Sequence, residues 1–187
     1  MVERETSLEL RKYLPEIDLI SSEVLRAKVE AIWAELWEQS RWQSLDDLKV
    51  SPEISYPHIP HNRSVVQMAL AVAGSIKEFH GIEVDRDLLI AGALLQDASK
   101  VVETVPTDDG RAVDSELGSL FPHAFWVTHV ALIHGLPHEL CEVLLDHTPQ
   151  SARFPKSLIG KILYYVDQID VIAIFGDRWR QEIRIAK

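Results

Sequence analysis

Cysteine is almost absent from this chain. Cys141 stands alone in 187 residues, so no disulfide can form within the chain, and a reducing compartment is the default expectation. Positive charge is also scarce. Nineteen Lys and Arg face 29 Asp and Glu, a formal charge of −10, which argues against sequence-independent binding to nucleic acid, where cations must neutralise phosphates. A small anionic substrate stays open, because a bound metal ion inverts the local field. No apolar run approaches the roughly 18 residues of a membrane span. The start, Met1-Val2-Glu3-Arg4-Glu5, lacks the apolar stretch of a signal peptide. A cytoplasmic protein with no membrane partner is expected. Strand signals are weak, and no internal repeat or low-complexity segment stands out.

What is plentiful is ordinary globular material. A composition 47% hydrophobic and 26% charged fits one unit long enough to bury a full core. Its spacing is helical almost throughout. Ser21-Ser22-Glu23 supplies a helix start, after which Val24, Leu25, Ile32, Trp33, Leu36 and Trp37 form one apolar stripe. Three prolines between residues 51 and 60 mark an extended loop. From His61, the residues Val65, Met68, Ala69, Val72 and Ile76 outline a second helix that stops near His80-Gly81. Asp85 caps a third through Leu88, Leu89, Ala91, Leu94 and Leu95. Residues 104–119 are polar and turn-rich. They read as a surface loop, and residues 105–120 alternatively as a lid carrying Asp108, Asp109 and Arg111 toward a substrate.

A fourth helix runs from about Pro122 to His134, and Gly135-Leu136-Pro137 breaks it before a fifth over His138 to Asp146. A last helix from Ser157 carries Leu158, Ile162, Tyr165, Ile169 and Ile172. The expected fold is an all-α helical bundle. Residues 1–50 form an N-terminal helical extension on a domain of residues 51–187, together one compact unit. Trp33, Trp37 and Trp42 read as core or interface anchors. The N-terminal helix either closes a pocket or makes a homodimer contact.

The residues that could carry chemistry are scattered. Asp97 ends the run Ala91-Gly92-Ala93-Leu94-Leu95-Gln96-Asp97, at a helix C-terminus where the dipole disfavours a carboxylate. Something positive must compensate it: a metal, Lys100 or His61. Asp167 lies among bulky apolar residues on the last helix and needs a partner. Nitrogen from His61, His123 and His147 with oxygen from these carboxylates suits a first-row divalent metal. Taken singly, each residue also has a plain reading. A lone histidine is more often a core or surface residue than a ligand, as for His80, His129, His134 and His138. Asp167 or Asp170 could equally sit on a solvated face.

Taken together, the residues from His61 to Asp170 resemble the HD-domain superfamily. His61-Asn62-Arg63-Ser64-Val65 is similar to its first histidine and following helix. Gln96-Asp97-Ala98-Ser99-Lys100 is similar to its His-Asp-x-x-Lys segment. His123, Gly135-Leu136-Pro137 and His147 follow its helix pair, and Asp167 its late aspartate. The resemblance implies an all-α bundle binding one or two divalent transition-metal ions. One ion would take His61, Gln96, Asp97 and Asp167. The other would take Asp97 as a bridge with His123 and His147. It further implies hydrolysis of a small, phosphorylated molecule by metal-activated water, with Lys100 and Arg63 steadying the phosphate. Dioxygen activation by two irons is the alternative within the family, and a variant HD domain with an altered or absent metal site would act as a metal-free enzyme or a binding module. Gln96 stands where the family carries histidine. Its amide oxygen is a poor ligand for a transition metal, and three outcomes stay open: that ion binds more weakly through His61, Asp97, Asp167 and water, only the other position fills, or the site is empty with Gln96 hydrogen-bonding Asp97 or a substrate.

Overall fold

The computed structural model describes residues 8–175. Residues 1–7 and 176–187, with them the start read for a signal peptide and the outer ends of both expected segments, lie outside the described residues. The chain folds as an all-α helical bundle with two small antiparallel hairpins.

Helix starts follow the capping residues closely. Ser22 accepts a hydrogen bond from the Leu25 N–H at 3.3 Å and opens α2 (Glu23–Gln39). Asp85 accepts from the Leu88 N–H at 3.0 Å and opens α4 (Arg86–Leu95). Ser157 accepts from the Gly160 N–H at 3.0 Å and opens α9 (Leu158–Ile174). In each case the side-chain oxygen satisfies an N–H that the helix itself cannot. The helix α8 (His138–Asp146) has the bounds that the glycine–proline break and the apolar spacing imply. The helix α7 (Phe125–Ile133) starts three residues later than expected.

The helix α3 (His58–His80) begins one turn earlier than the sequence reading placed it. Pro60 falls in its first turn, where a missing N–H costs no internal bond. His58 and His61 therefore sit at i and i+3 on one helix face. Gly81 closes the helix at φ 66°, its N–H reaching the Lys77 carbonyl at 3.0 Å.

Two stretches read as loops carry hairpins. The strands β1 (Lys49–Ser51) and β2 (Ile54–Pro57) pair before α3. The strands β3 (Thr104–Pro106) and β4 (Ala112–Asp114) pair across the turn-rich segment, with Val105 opposite Val113. The polar leader also has structure. A short α1 (Leu10–Tyr13) and a 3-10 turn over Pro15–Leu19 precede α2, and Leu14, Ile17 and Ile20 are fully buried.

The bundle is organised around α4. Every residue from Leu89 to Leu95 is buried, as expected of a helix surrounded by others. It contacts α2, α3, α8 and α9. A Cβ at Gly92 would meet Leu163 Cδ1 at 2.8 Å, so glycine there allows α9 to close on α4. Ser21 and Ser22 bind the Asp87 carboxylate through three hydrogen bonds of 2.7–2.9 Å and moor the N-terminal segment to α4. Trp33, Trp37 and Trp42 are core residues. Among the described residues no helix is long and apolar enough to cross a membrane.

Candidate metal centre

The position of Asp97 begins with the way α4 ends. The Leu94 carbonyl receives the Trp33 indole N–H at 3.1 Å and the Asn62 amide N–H at 3.3 Å. Helix-end carbonyls need such outside donors. The Ala98 N–H then turns back to Leu95 O and the Lys100 N–H to Asp97 O, leading into α5 (Lys100–Glu103). Trp42 donates to Thr104 O at 3.0 Å at the far end of α5. Two tryptophans of the N-terminal segment thus clamp the chain on either side of Asp97. The core carries the site.

Asp97 divides its two carboxylate oxygens between two groups. Oδ2 lies 3.2 Å from Nε2 of His61, which is itself 3.3 Å from Asp167 Oδ1. Oδ1 lies 2.9 Å from Nε2 of His123 and 3.7 Å from Nε2 of His147. The triads His61–Asp97–Asp167 and Asp97–His123–His147 each bring their donor atoms within 4.8 Å of one another and could each hold a metal ion. These are the residues that the sequence singled out, drawn from α3, the end of α4, the approach to α7, the end of α8, and α9.

The far nitrogen of each triad histidine is also engaged. Nδ1 of His61 meets Asp170 Oδ2 at 2.7 Å, and Ser64 donates to the other oxygen of Asp170 at 2.6 Å. Nδ1 of His123 meets Glu103 Oε2 at 2.7 Å, and Ser99 donates to Oε1 of Glu103 at 2.5 Å. Nδ1 of His147 donates to the Leu144 carbonyl at 2.7 Å. Anchoring Nδ1 to an acceptor fixes the ring and turns Nε2 toward the centre, the arrangement that metal-binding histidines favour. The sequence reading missed Asp170 as a partner and missed Glu103 altogether. Their signal is spacing alone: each stands three residues after a site residue, Asp167 or Lys100.

Four carboxylates, those of Asp97, Glu103, Asp167 and Asp170, are more than nine-tenths buried here. Such charge must be neutralised by protons or cations. Burial alone would raise the Asp97 pKa, but the Lys100 charge and the three imidazoles hold it well below the usual range. Burial alone would lower the His61 pKa, yet hydrogen bonds to Asp167, Asp170 and Asp97 carry it well above the ordinary value. His123 rises to about 9 despite burial and the nearby Lys100, through the Glu103 charge and its bonds to Asp97 and Glu103. Without a metal, both nitrogens of His61 and of His123 must carry protons. A divalent ion replaces those Nε2 protons and leaves neutral imidazoles, so the donor set fits such an ion.

A cavity of about 440 Å³ opens onto the two triads. Lys100 lines it beside Thr148, Gln150 and Gln168, and the β1–β2 hairpin supplies Ser51, Glu53 and Ile54. Arg63 stands apart from it: its Nε is 2.9 Å from Glu16 Oε1, beside a separate surface depression. Asp108, Asp109 and Arg111 do not line the cavity either. Asp109 is paired with Arg111 at the tip of the β3–β4 hairpin. Gln96 is fully buried, and neither atom of its amide has a hydrogen-bond partner. It does not bond Asp97. His58 is likewise fully buried with both ring nitrogens unpartnered, and its Nε2 lies 3.9 Å from Asp97 Oδ2. Burial drives the His58 pKa down to about 3 against the pull of Asp97, which leaves the ring neutral.

The His123 side is built under strain. Ala124, fully buried, takes φ 76°, a conformation that side chains other than glycine rarely adopt. Behind Glu103, a Cβ on Gly118 of α6 (Glu116–Leu120) would lie 2.1 Å from the Glu103 carbonyl oxygen. Backbone cannot yield that much without moving. Gly118→Ala is expected to lower stability by about 1–3 kcal/mol and to weaken metal binding at the His123 triad before the His61 triad. Thermal melts beside metal titrations check this, and an unchanged melt would show that α6 shifts freely.

No protein-family model matches this chain, and no solved structure does. The chain is similar to a dihydroneopterin 2',3'-cyclic phosphate phosphodiesterase from Methanocaldococcus jannaschii, with 31% identity over 113 residues. The match covers 60% of this chain and 45% of that protein, so the chain spans less than half the length of the curated relative it matches.

Proposed function

We propose that this chain is a metal-dependent phosphohydrolase of the HD type that opens a phosphoester, with a cyclic phosphodiester on a small molecule as the first substrate class to test. One observation carries the reading: a single buried aspartate, Asp97, turns one oxygen to each of two histidine–carboxylate triads. His61, Asp97 and Asp167 would hold one divalent ion, and Asp97, His123 and His147 the other. Ions held there would polarise the phosphoryl oxygens and acidify a coordinated water.

The chain's own residues supply position and charge. Asp170, Glu103 and the Leu144 carbonyl hold three rings with Nε2 facing the centre. Lys100 brings a cation to the cavity wall, where it offsets charge on a phosphate. The cavity falls in the size range of small-molecule sites. The resemblance to a cyclic-phosphate phosphodiesterase is why hydrolysis stands ahead of dioxygen activation.

The test combines metal analysis with turnover. Protein purified without chelator is assayed for transition metal, then given bis(p-nitrophenyl) phosphate or a 2',3'-cyclic nucleotide with Mn²⁺, Fe²⁺ or Zn²⁺. Hydrolysis that EDTA stops and metal restores is the expected result. Metal-loaded protein that consumes dioxygen and leaves both esters intact would move the assignment to oxygenation. Lys100→Ala should lower turnover about a hundredfold, the usual scale for losing one donor to developing charge, with metal content undiminished. Loss of metal together with activity would instead make Lys100 a support of the centre.

A further inference from the structure

The imidazole of His58 packs against the rings of Trp33 and His61, but no hydrogen bond accounts for its nitrogens. Buried polar groups are nearly always hydrogen-bonded, yet both nitrogens of this ring lack partners and the side chain is fully enclosed. It is also aimed. Nε2 stands 3.9 Å from Asp97 Oδ2, the same oxygen that His61 Nε2 approaches at 3.2 Å. His58 sits one turn before His61 on α3, their rings edge-on at a centroid distance of 6.3 Å.

The geometry brings one contact within reach of a shared ion. Ligand atoms bonded to one first-row ion at about 2.1 Å lie at most about 4.2 Å apart, and the 3.9 Å from His58 to Asp97 Oδ2 is inside that bound. The donor atoms already gathered within 4.8 Å of one another are those of His61, Asp97 and Asp167, so the His58 ring would close on them as the ion binds. Neither ring nitrogen is taken by another partner, so one of them can offer its lone pair to an ion while the other keeps its proton. The three other donors of this triad, His61, Asp97 and Asp167, include one nitrogen only. Gln96 offers a neutral amide, a poor ligand for such an ion.

We propose that His58 is a ligand of the ion held by His61, Asp97 and Asp167, providing from α3 the second imidazole that position 96 does not. This rests on the metal reading of the site. It also explains an otherwise costly choice of residue, because one of the two unpartnered nitrogens acquires a partner when the ion arrives.

A ligand and a packing residue respond oppositely to His58→Leu. Removing an unpartnered buried polar group leaves the metal-free fold as stable or more so, so the metal-free variant should melt no lower than wild type. Its Zn²⁺ or Mn²⁺ titration should nonetheless show one class of site weakened at least about tenfold, with the His123–His147 class retained. Ile59→Ala, which trims the neighbouring side chain and removes no nitrogen, should leave both classes in place. Two unchanged classes in His58→Leu would overturn the proposal and spare the metal centre. Wild-type protein that takes up no ion would overturn both. A second measurement needs no variant: in ring-¹⁵N-histidine protein, Zn²⁺ should move the His58 nitrogen resonance along with those of His61, His123 and His147. A His58 signal that stays put while the other three move would overturn the assignment even if His58→Leu does not fold.

Discussion

Asp97→Asn protein is expected to lose metal at both triads in one step and to turn over phosphodiesters at least about a thousandfold more slowly than wild type. The substitution keeps the shape of the side chain and removes its charge. Oδ2 faces His61 and Oδ1 faces His123 and His147, and among the described residues Asp97 is the one carboxylate common to both groups. Asp167→Asn is the matched control. Asp167 belongs to one triad only, and its loss should spare the ion at His123 and His147. Metal content after dialysis, read beside turnover, separates the cases. An Asp97→Asn protein that keeps a full ion at either triad would show that the two groups do not depend on a common bridge.

The charge around Asp97 sharpens that expectation. In the metal-free chain its carboxylate is the counter-charge of two protonated rings, His61 and His123. Asparagine cannot balance them, and both rings should then shed protons more readily. The variant should still fold, because His61 keeps Asp170 and His123 keeps Glu103. Loss of metal without loss of structure would mark a charge effect, which circular dichroism beside the metal assay can establish.

The sequence revealed those parts of this molecule that rest on short-range chemistry. Ser22 and Asp85 are caps readable from residue type and the apolar run behind them, and each makes the expected bond; Ser157, read as the first residue of the last helix, is its cap. Pro57 and Pro60 misled because proline is read as a breaker, whereas the first turn of α3 has no internal bond for Pro60 to remove. The hairpins escaped because three- and four-residue strands are too short to show alternation. Leu14, Ile17 and Ile20 escaped because a 3-10 turn carries no helical stripe.

The site divides in the same way. Residue type and order brought forward His61, Asp97, His123, His147 and Asp167, and the fold gathers them around one carboxylate. Arg63 did not follow. Each helical residue turns about 100°, so two residues past His61 a side chain faces nearly the opposite way, and Arg63 meets Glu16. Asp170 and Glu103 were hidden because their one signal, a spacing of three residues from Asp167 and Lys100, does not by itself separate a carboxylate on a solvated face from one that holds a buried ring.

Metal affinity should rise steeply between pH 6 and pH 8, by about a hundredfold at the His123 triad if one proton is displaced. The sign follows from the raised pKa values. His61 titrates well above its ordinary value and His123 at about 9 in the metal-free chain, so near neutrality each ion must expel a proton from Nε2. Acid strengthens that competition and alkali relieves it, until the gain at His123 levels off above pH 9. The metal-free fold runs the other way. A raised histidine pKa contributes stability that is fully present below the unfolded value near 6.5 and is lost as pH climbs through about 9. Asp97 and Glu103, whose pKa values are lowered, stay ionised across this window and add no slope. The upward shift in melting temperature on adding metal should therefore widen with pH, from tighter binding and from a weaker metal-free state together. Melts at pH 6, 7 and 8 with and without Mn²⁺ measure it. A shift of constant size would mean that no histidine proton is displaced, and that the ion, if bound, sits on the carboxylates alone.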